Sequence, residues 1–315
     1  MEKCHVRQPS ATSPGYITTD MVIPYPRIPP TIVSIGPIAL RWYSVMYVVG
    51  YVLGYRLALK RIETGRSSLS RADLDNLIWY LVAGMLIGAR LVYVFVYGRA
   101  EYAAHPLEAF AIWRGGLSFH GAIAGMTVAI ALFARRYRHS VLEITDLVAL
   151  CGAPGLFFGR LGNFINGELY GRPSNVPWAM IFPADPLQVP RHPSQLYEAF
   201  AEGVLLSALL WWVDSMARAR GYNRRGLMTA LFLVGYAIAR FSLEFTRQPD
   251  AQLGLVLGPF SMGQILSTIM LAVGLALLGI IYRGPDAGVA LPALTKADEK
   301  SEKRQYSGNG DDRGA

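Results

Sequence analysis

Tyr236, Arg240 and Glu244 recur four residues apart. On a helix these positions share a face, so a phenol, a guanidinium and a carboxylate are presented together. Arg247 falls near the same stripe. A second polar cluster gathers Arg160, Asn163, Asn166, Glu168 and Arg172, and a third gathers His192, Gln195, Tyr197, Glu198 and Glu202. Arginines grouped in this way suit phosphate, because the planar fork donates paired hydrogen bonds to anionic oxygens. Arg240 and Glu244 taken alone also read as a pair that neutralises itself. The further arginines argue for surplus positive charge directed at an anionic ligand. Glu168 is placed to hold Arg160, and Asn163 to donate to a phosphate or glycerol oxygen. His120, preceded by Gly115-Gly116-Leu117-Ser118-Phe119 and followed by Gly121, reads either as a hydrogen-bonded packing residue or, since the flanking glycines permit close approach by a substrate, as a residue for catalysis or substrate contact. Arg90, deep in an apolar run, reads as a structural residue. The five histidines are scattered without metal-ligand spacing, so no metal is expected. Cys4 and Cys151 have no recognisable histidine partner, which leaves no cysteine nucleophile.

These groups sit in a chain that is 52% hydrophobic and 17% charged, whereas soluble domains carry about a quarter charged residues. The apolar residues come in blocks near the roughly 20 residues that a bilayer-spanning helix needs. The expected spans are Ile38–Leu59, Leu77–Tyr97, Leu117–Phe133, Leu147–Phe158, Leu196–Val213, Gly226–Thr246 and Phe260–Tyr282. The fourth, interrupted by Gly152, Pro154 and Gly155, reads as short or broken. Gly50/Gly54, Gly84/Gly88 and Gly121/Gly125 are spaced for close helix packing. The fold class is therefore an all-α integral membrane protein of seven transmembrane helices, with an external polar segment after the broken fourth span.

Lys60, Arg61, Arg66, Arg71, Arg135, Arg136, Arg138, Arg218, Arg220, Arg224 and Arg225 crowd one set of loops, and the tail adds more. The opposite loops are poorer in Lys and Arg, so the crowded set is cytoplasmic, the N-terminus outside and the C-terminus inside. The formal charge of +8 is mostly this bias, and nucleic acid is not an expected partner. Residues 1–36 form a polar, partly disordered extension without a signal-peptide core, and Met21 is a plausible alternative start. Residues 37–283 form the membrane catalytic domain, and 284–315 a disordered cytoplasmic tail.

Gly159-Arg160-Leu161-Gly162-Asn163-Phe164-Ile165-Asn166-Gly167-Glu168-Leu169-Tyr170-Gly171-Arg172 resembles the signature of the prolipoprotein diacylglyceryl transferases. His192-Pro193-Ser194-Gln195-Leu196-Tyr197-Glu198, Arg240 through Asp250, Gly115 through Gly121 and Arg41-Trp42-Tyr43 match that family in the same order. Ala122 departs from the second glycine usual after the histidine, and the long N-terminus also departs. The resemblance implies a multi-pass enzyme of the bacterial inner membrane. Its reaction would transfer the diacylglyceryl group of phosphatidylglycerol to the lipobox cysteine of a prolipoprotein signal peptide, releasing glycerol phosphate. Carried over by position, Arg160, Arg240 and His120 would be catalytic. Tyr43, Asn163, Glu168, Gly171, Tyr236, Glu244 and Arg247 would contact substrate.

That chemistry needs no cofactor. The substrate supplies the thiol, and the enzyme must help form thiolate and stabilise charge on a departing phosphate. A transporter or lipid-binding protein with an arginine anion site is the rival reading, and the lack of an internal repeat argues against it. A non-catalytic signal-peptide receptor would not require the arginines. The topology is testable: a reporter fused after Arg304 should be cytoplasmic and one at Asn175 external, and reversal of either signal rejects the orientation.

Overall fold

The computed structural model describes residues 23–283, apart from 37, 112, 114, 223, 249–254 and 258–259. The expected alternative start at Met21, the extension before residue 23 and the tail 284–315 lie outside the described residues. A hairpin comes first, β1 (Thr31–Ile35) antiparallel to β2 (Ile38–Arg41), followed by α1 (Trp42–Glu63) and α2 (Arg71–Val92). A π-helical turn, Tyr93–Tyr97, extends α2. The short α3 (Arg99–Ala104) and a 3-10 turn lead to α4 (Phe119–Tyr137) and α5 (Val141–Asn166). After an irregular segment, α6 (Ser194–Glu198) runs through a π-helical stretch, Ala199–Leu205, into α7 (Leu206–Ala219). Then come α8 (Leu227–Leu243), the small pair β3 (Leu255–Leu257) and β4 (Phe260–Ser261), and α9 (Met262–Arg283).

The protein is mostly helical. Among the described residues, four helical stretches are long and apolar enough to cross a bilayer: Arg71–Tyr97, Val141–Asn166, Ser194–Ala219 and Met262–Arg283. The remaining expected spans are also helical, as α1, α4 and the shorter α8. The first expected span begins too early: Ile38–Arg41 pairs with the preceding strand, and the helix starts at Trp42.

The fourth span differs most from expectation. It is not short or broken; α5 continues through Pro154 to Asn166. Proline has no N–H to donate to the carbonyl four residues back. That carbonyl, on Leu150, instead accepts from the Trp211 indole at 3.1 Å. An outside donor thus replaces the missing backbone bond, as apolar surroundings demand.

The chain divides into two compact units. One comprises the described residues of Met1–Arg71, Cys151–Ser207 and Phe232–Ala272. In it, α1 packs on α5 through glycine: a Cβ on Gly50 would lie 3.2 Å from Gly155 Cα, and one on Gly54 2.8 Å from the Cys151 carbonyl oxygen. Tyr25 donates to the Phe164 and Ile165 carbonyls, satisfying the end of α5, and its ring meets Phe164 and the buried Phe182. The other unit comprises Ala72–Leu150, Ala208–Leu231 and the described part of Val273–Ala315. Here α2 and α4 approach too closely for side chains. A Cβ on Gly84 would sit 2.6 Å from the Gly125 carbonyl, and one on Gly88 2.3 Å from that of Gly121. In the same unit Asp146 accepts from the amides of Gly226 and Thr229, capping α8.

Trp211→Phe keeps an aromatic ring but removes the indole N–H and strands the Leu150 carbonyl. An unsatisfied buried acceptor costs about 1–3 kcal/mol. Thermal unfolding in detergent should show that loss for Trp211→Phe, and an unchanged midpoint would reject the proposed replacement of the helix bond.

Candidate active site

The residues that could handle a charged substrate gather in the first unit. Arg160 is on the last turns of α5, and Arg240 is at the end of α8. Glu244 follows one turn later, its amide still bonded to the Arg240 carbonyl at 3.2 Å. Arg247 follows a turn at the end of α8. It is held in an isolated bridge to Gly171, and the Arg172 amide donates to the Thr246 carbonyl at 2.9 Å. A Cβ on Gly171 would fall 2.4 Å from that carbonyl oxygen and 2.7 Å from His192 Cβ. Gly171 therefore serves the approach of two backbones, which is a structural role distinct from the substrate contact expected of it.

The carboxylates facing these arginines are Glu198 and Glu202, both 0% exposed. The π-helical stretch starts between them, and wide turns of this kind recur at functional sites. Gly203, in the same stretch, lets α5 come close: its Cβ would lie 2.5 Å from Phe157 Cβ. Arg160 directs Nε and Nη2 at Glu202 Oε2 (3.3 and 3.2 Å), and its Nη1 lies 3.0 Å from Glu198 Oε2. Glu198 Oε1 is 3.3 Å from Arg247 Nη1 and 3.9 Å from Arg240 Nη1. Arg240 Nη1 also meets Glu244 Oε2 at 2.5 Å. Glu244 Oε1 accepts from Ser261 Oγ at 2.7 Å. Ser261 caps α9 reciprocally with Gln264, so the start of that helix steadies Glu244. Tyr236 lies within electrostatic reach of Arg160, Arg240, Glu198 and Glu202.

Two expectations are corrected. Arg160 is held by Glu198 and Glu202 rather than by Glu168, which accepts from Asn163 Nδ2 (2.8 Å) and Asn166 Nδ2 (3.4 Å). The expected surplus of positive charge is also not a property of this network: Arg160, Arg240 and Arg247 are matched by Glu198, Glu202 and Glu244. Ser261 and the π-helical geometry carry no signal in the sequence. Glu198 and Glu202 do carry one, since two carboxylates four residues apart in an apolar run require partners. Tyr43 sits on the first turn of α1, its hydroxyl 2.9 Å from that of Tyr47. Its ring occupies room left by Gly162, whose Cβ would come within 2.9 Å of it.

His120 belongs to the second unit, exposed on the first turn of α4, with its ring edge-on to Phe119. The loop before it is fixed by Arg90, which donates to the carbonyls of Glu108 (2.8 Å), Ala109 (2.7 Å), Gly115 (2.7 Å) and Gly116 (2.9 Å). Gly115 and Gly116 have φ of 87° and 77°, where an L side chain is strained. Ser118 then caps α4, accepting from the Gly121 amide. Arg90 is thus structural, as expected. Among the described residues no cluster of three or more metal-ligating side chains occurs.

The irregular segment 167–193 is stapled by a buried ion pair. Arg191 Nε and Nη2 meet Asp185 at 2.6 and 2.9 Å, and the guanidinium lies over the Tyr170 ring. Burial pushes the Asp185 carboxyl up, but the bonds from Arg191 and from the Leu187 and Val189 amides outweigh it, leaving the carboxyl below its ordinary value. Burial also lowers the imidazole of His192, whose Nδ1 is 3.2 Å from the Tyr197 hydroxyl. Because the folded state lowers Asp185, its stabilisation is full above the unfolded carboxylate value of about 3.9 and is lost as pH falls through the lower folded value. Proteolysis of segment 172–190 should therefore stay slow at neutral pH and accelerate only at strongly acid pH. Asp185→Asn, which strands a buried guanidinium at a cost of about 3–5 kcal/mol, should be cleaved fast at every pH. Equal resistance of the variant would show that the pair does not staple the segment.

A family model described as prolipoprotein diacylglyceryl transferase matches residues 30–280. A protein of Bordetella bronchiseptica named phosphatidylglycerol–prolipoprotein diacylglyceryl transferase is 48% identical over 265 residues, covering 84% of this chain and 99% of its own length. Proteins of the same name from Azospirillum brasilense and Nitratidesulfovibrio vulgaris are each 46% identical, each match covering 85% of this chain and 99% of the relative. With the matched region spanning the arginine–carboxylate network and the His120 helix alike, the chain belongs to the prolipoprotein diacylglyceryl transferase family.

Proposed function

We propose that this membrane protein transfers the diacylglyceryl group of phosphatidylglycerol to the lipobox cysteine of a prolipoprotein signal peptide. The observation that carries the reading is the convergence of Arg160 and Arg240, from different helices, on the single carboxylate of Glu198. Forks that can share one carboxylate can share one phosphate oxyanion. The substrate thiol loses its proton and the sulfur bonds to the glycerol carbon. The carbon–oxygen bond to phosphate breaks, and its electron pair leaves with the phosphate oxygen as glycerol phosphate. Arg160 and Arg240 hold the phosphate and stabilise the charge that develops on it, with Arg247 beside them. We assign the thiol proton to His120 on the strength of the family signature around it; its ring is exposed on a helix start held by the Arg90 cage. Tyr236 and Glu244 orient the Arg240 side, and Tyr43, Asn163 and Glu168 form a polar group beside α5 that suits the glycerol hydroxyls.

In this reading the chain crosses the bacterial inner membrane seven times, N-terminus outside, and the donor's tails enter from the bilayer. Wild-type protein incubated with phosphatidylglycerol and a lipobox peptide should yield peptide carrying the diacylglyceryl mass, and lipid movement without that product would favour a transporter. Arg160→Lys and Arg240→Lys keep charge but lose the planar fork, so both should lose turnover severely, more in rate than in donor binding. His120→Gln should slow transfer by about 10²–10⁴-fold, the usual worth of a general base. Full activity in either Lys variant rejects the clamp, and a near-normal rate for His120→Gln removes the histidine.

A further inference from the structure

Glu198 differs from the other carboxylates of the network. Glu202 takes the Nε edge of Arg160, and Glu244 takes Arg240 Nη1 at 2.5 Å, is tied to Ser261 and lies against Gly263, whose Cβ would come within 2.9 Å of it. Glu198 is shared: one oxygen faces Arg160 at 3.0 Å, and the other faces Arg247 at 3.3 Å and Arg240 at 3.9 Å. Its carboxylate sits where the forks converge, in a residue with no solvent exposure. An oxyanion held by more than one of these arginines must take that same place.

We propose that Glu198 is an internal anion that keeps the phosphate seat: the donor's phosphodiester displaces its carboxylate, and the carboxylate's return expels glycerol phosphate. The proposal rests on the transferase reading above. The exchange on donor entry is neutral, one monoanion for another. Product release is different. Once the carbon–oxygen bond has broken, the product is a phosphate monoester of charge about −1.5 to −2. Forks that accepted the monoanionic donor hold this product more tightly. A carboxylate tethered at the same place competes at high effective concentration and lifts the product away. Glu198 thereby acts through the arginines as a positioning residue, and its effect falls on product release.

The test uses the full-length protein in detergent. Glu198→Gln keeps the size of the side chain and removes its charge. It should bind glycerol phosphate about tenfold more tightly by calorimetry, as expected when one nearby negative charge is lost. Steady-state transfer should fall more than the first turnover, giving a burst, and added glycerol phosphate should inhibit at about tenfold lower concentration. Glu202→Gln removes an equally buried charge from the Nε edge and should not tighten binding. Glu198→Asp draws the carboxylate back by one methylene and should also bind glycerol phosphate more tightly, which keeps the test open if the glutamine variant does not fold. Unchanged or weaker binding in the Glu198 variants overturns the proposal, as does equal tightening in Glu202→Gln, which would mean a general field rather than a seat. Wild-type protein that transfers no lipid would fail the transferase reading instead, a result separable from the variant comparison.

Discussion

Two carboxylates without solvent contact, Glu198 and Glu202, set the terms for everything around them. Removing an ion from water costs several kcal/mol, and only well-placed opposite charge offsets it. Here the offset comes from α5, from the end of α8 and from the bridged segment beyond it. Those elements must therefore stand within ion-pair distance of one π-helical stretch. The glycines follow from that demand. Gly203 admits α5 against the stretch that carries Glu202 and follows Glu198, and Gly171 admits the bridged segment that carries Arg247. Loss of any one guanidinium leaves the remaining charges mismatched inside the protein, so the network stands or falls as a unit.

The second unit uses arginine in the opposite way. Arg90 meets backbone carbonyls, not a carboxylate, and spreads its donors over four of them. A guanidinium carries five N–H groups in a rigid fork, so it can fix several points of a loop at once. Lysine cannot reproduce that geometry. The result is a fixed approach to α4, through two glycines in left-handed conformations, that ends at the capped turn bearing His120.

Much of this was legible in the sequence. Long apolar blocks located the helices, and the glycine pairs marked the contacts where helices meet. The spacing of Tyr236, Arg240 and Glu244 foretold a shared face. The failures have physical causes. Pro154 read as a break because the compensating donor, Trp211, is 61 residues from the carbonyl it serves. Glu168 is close to Arg160 in sequence and reads as its partner, whereas the observed partner Glu202 is 42 residues away. Ile38–Arg41 was absorbed into a helix because apolar residues alone do not distinguish a strand from a helix start. The first two errors concern contacts between distant segments, which local pattern does not encode; the third concerns pairing with the strand just before it.

The bond from Trp211 to Leu150 also bears on how the chain is made. Translation proceeds from the N-terminus, so α5 emerges well before its indole partner. Until α7 follows, the helix that bears Arg160 carries an open carbonyl at Leu150, and neither Glu198 nor Glu202 has yet arrived to meet the guanidinium. The helix that bears Arg160 is thus synthesised before the groups that make it tolerable in lipid, and it must be sheltered at the insertion machinery until those groups join it.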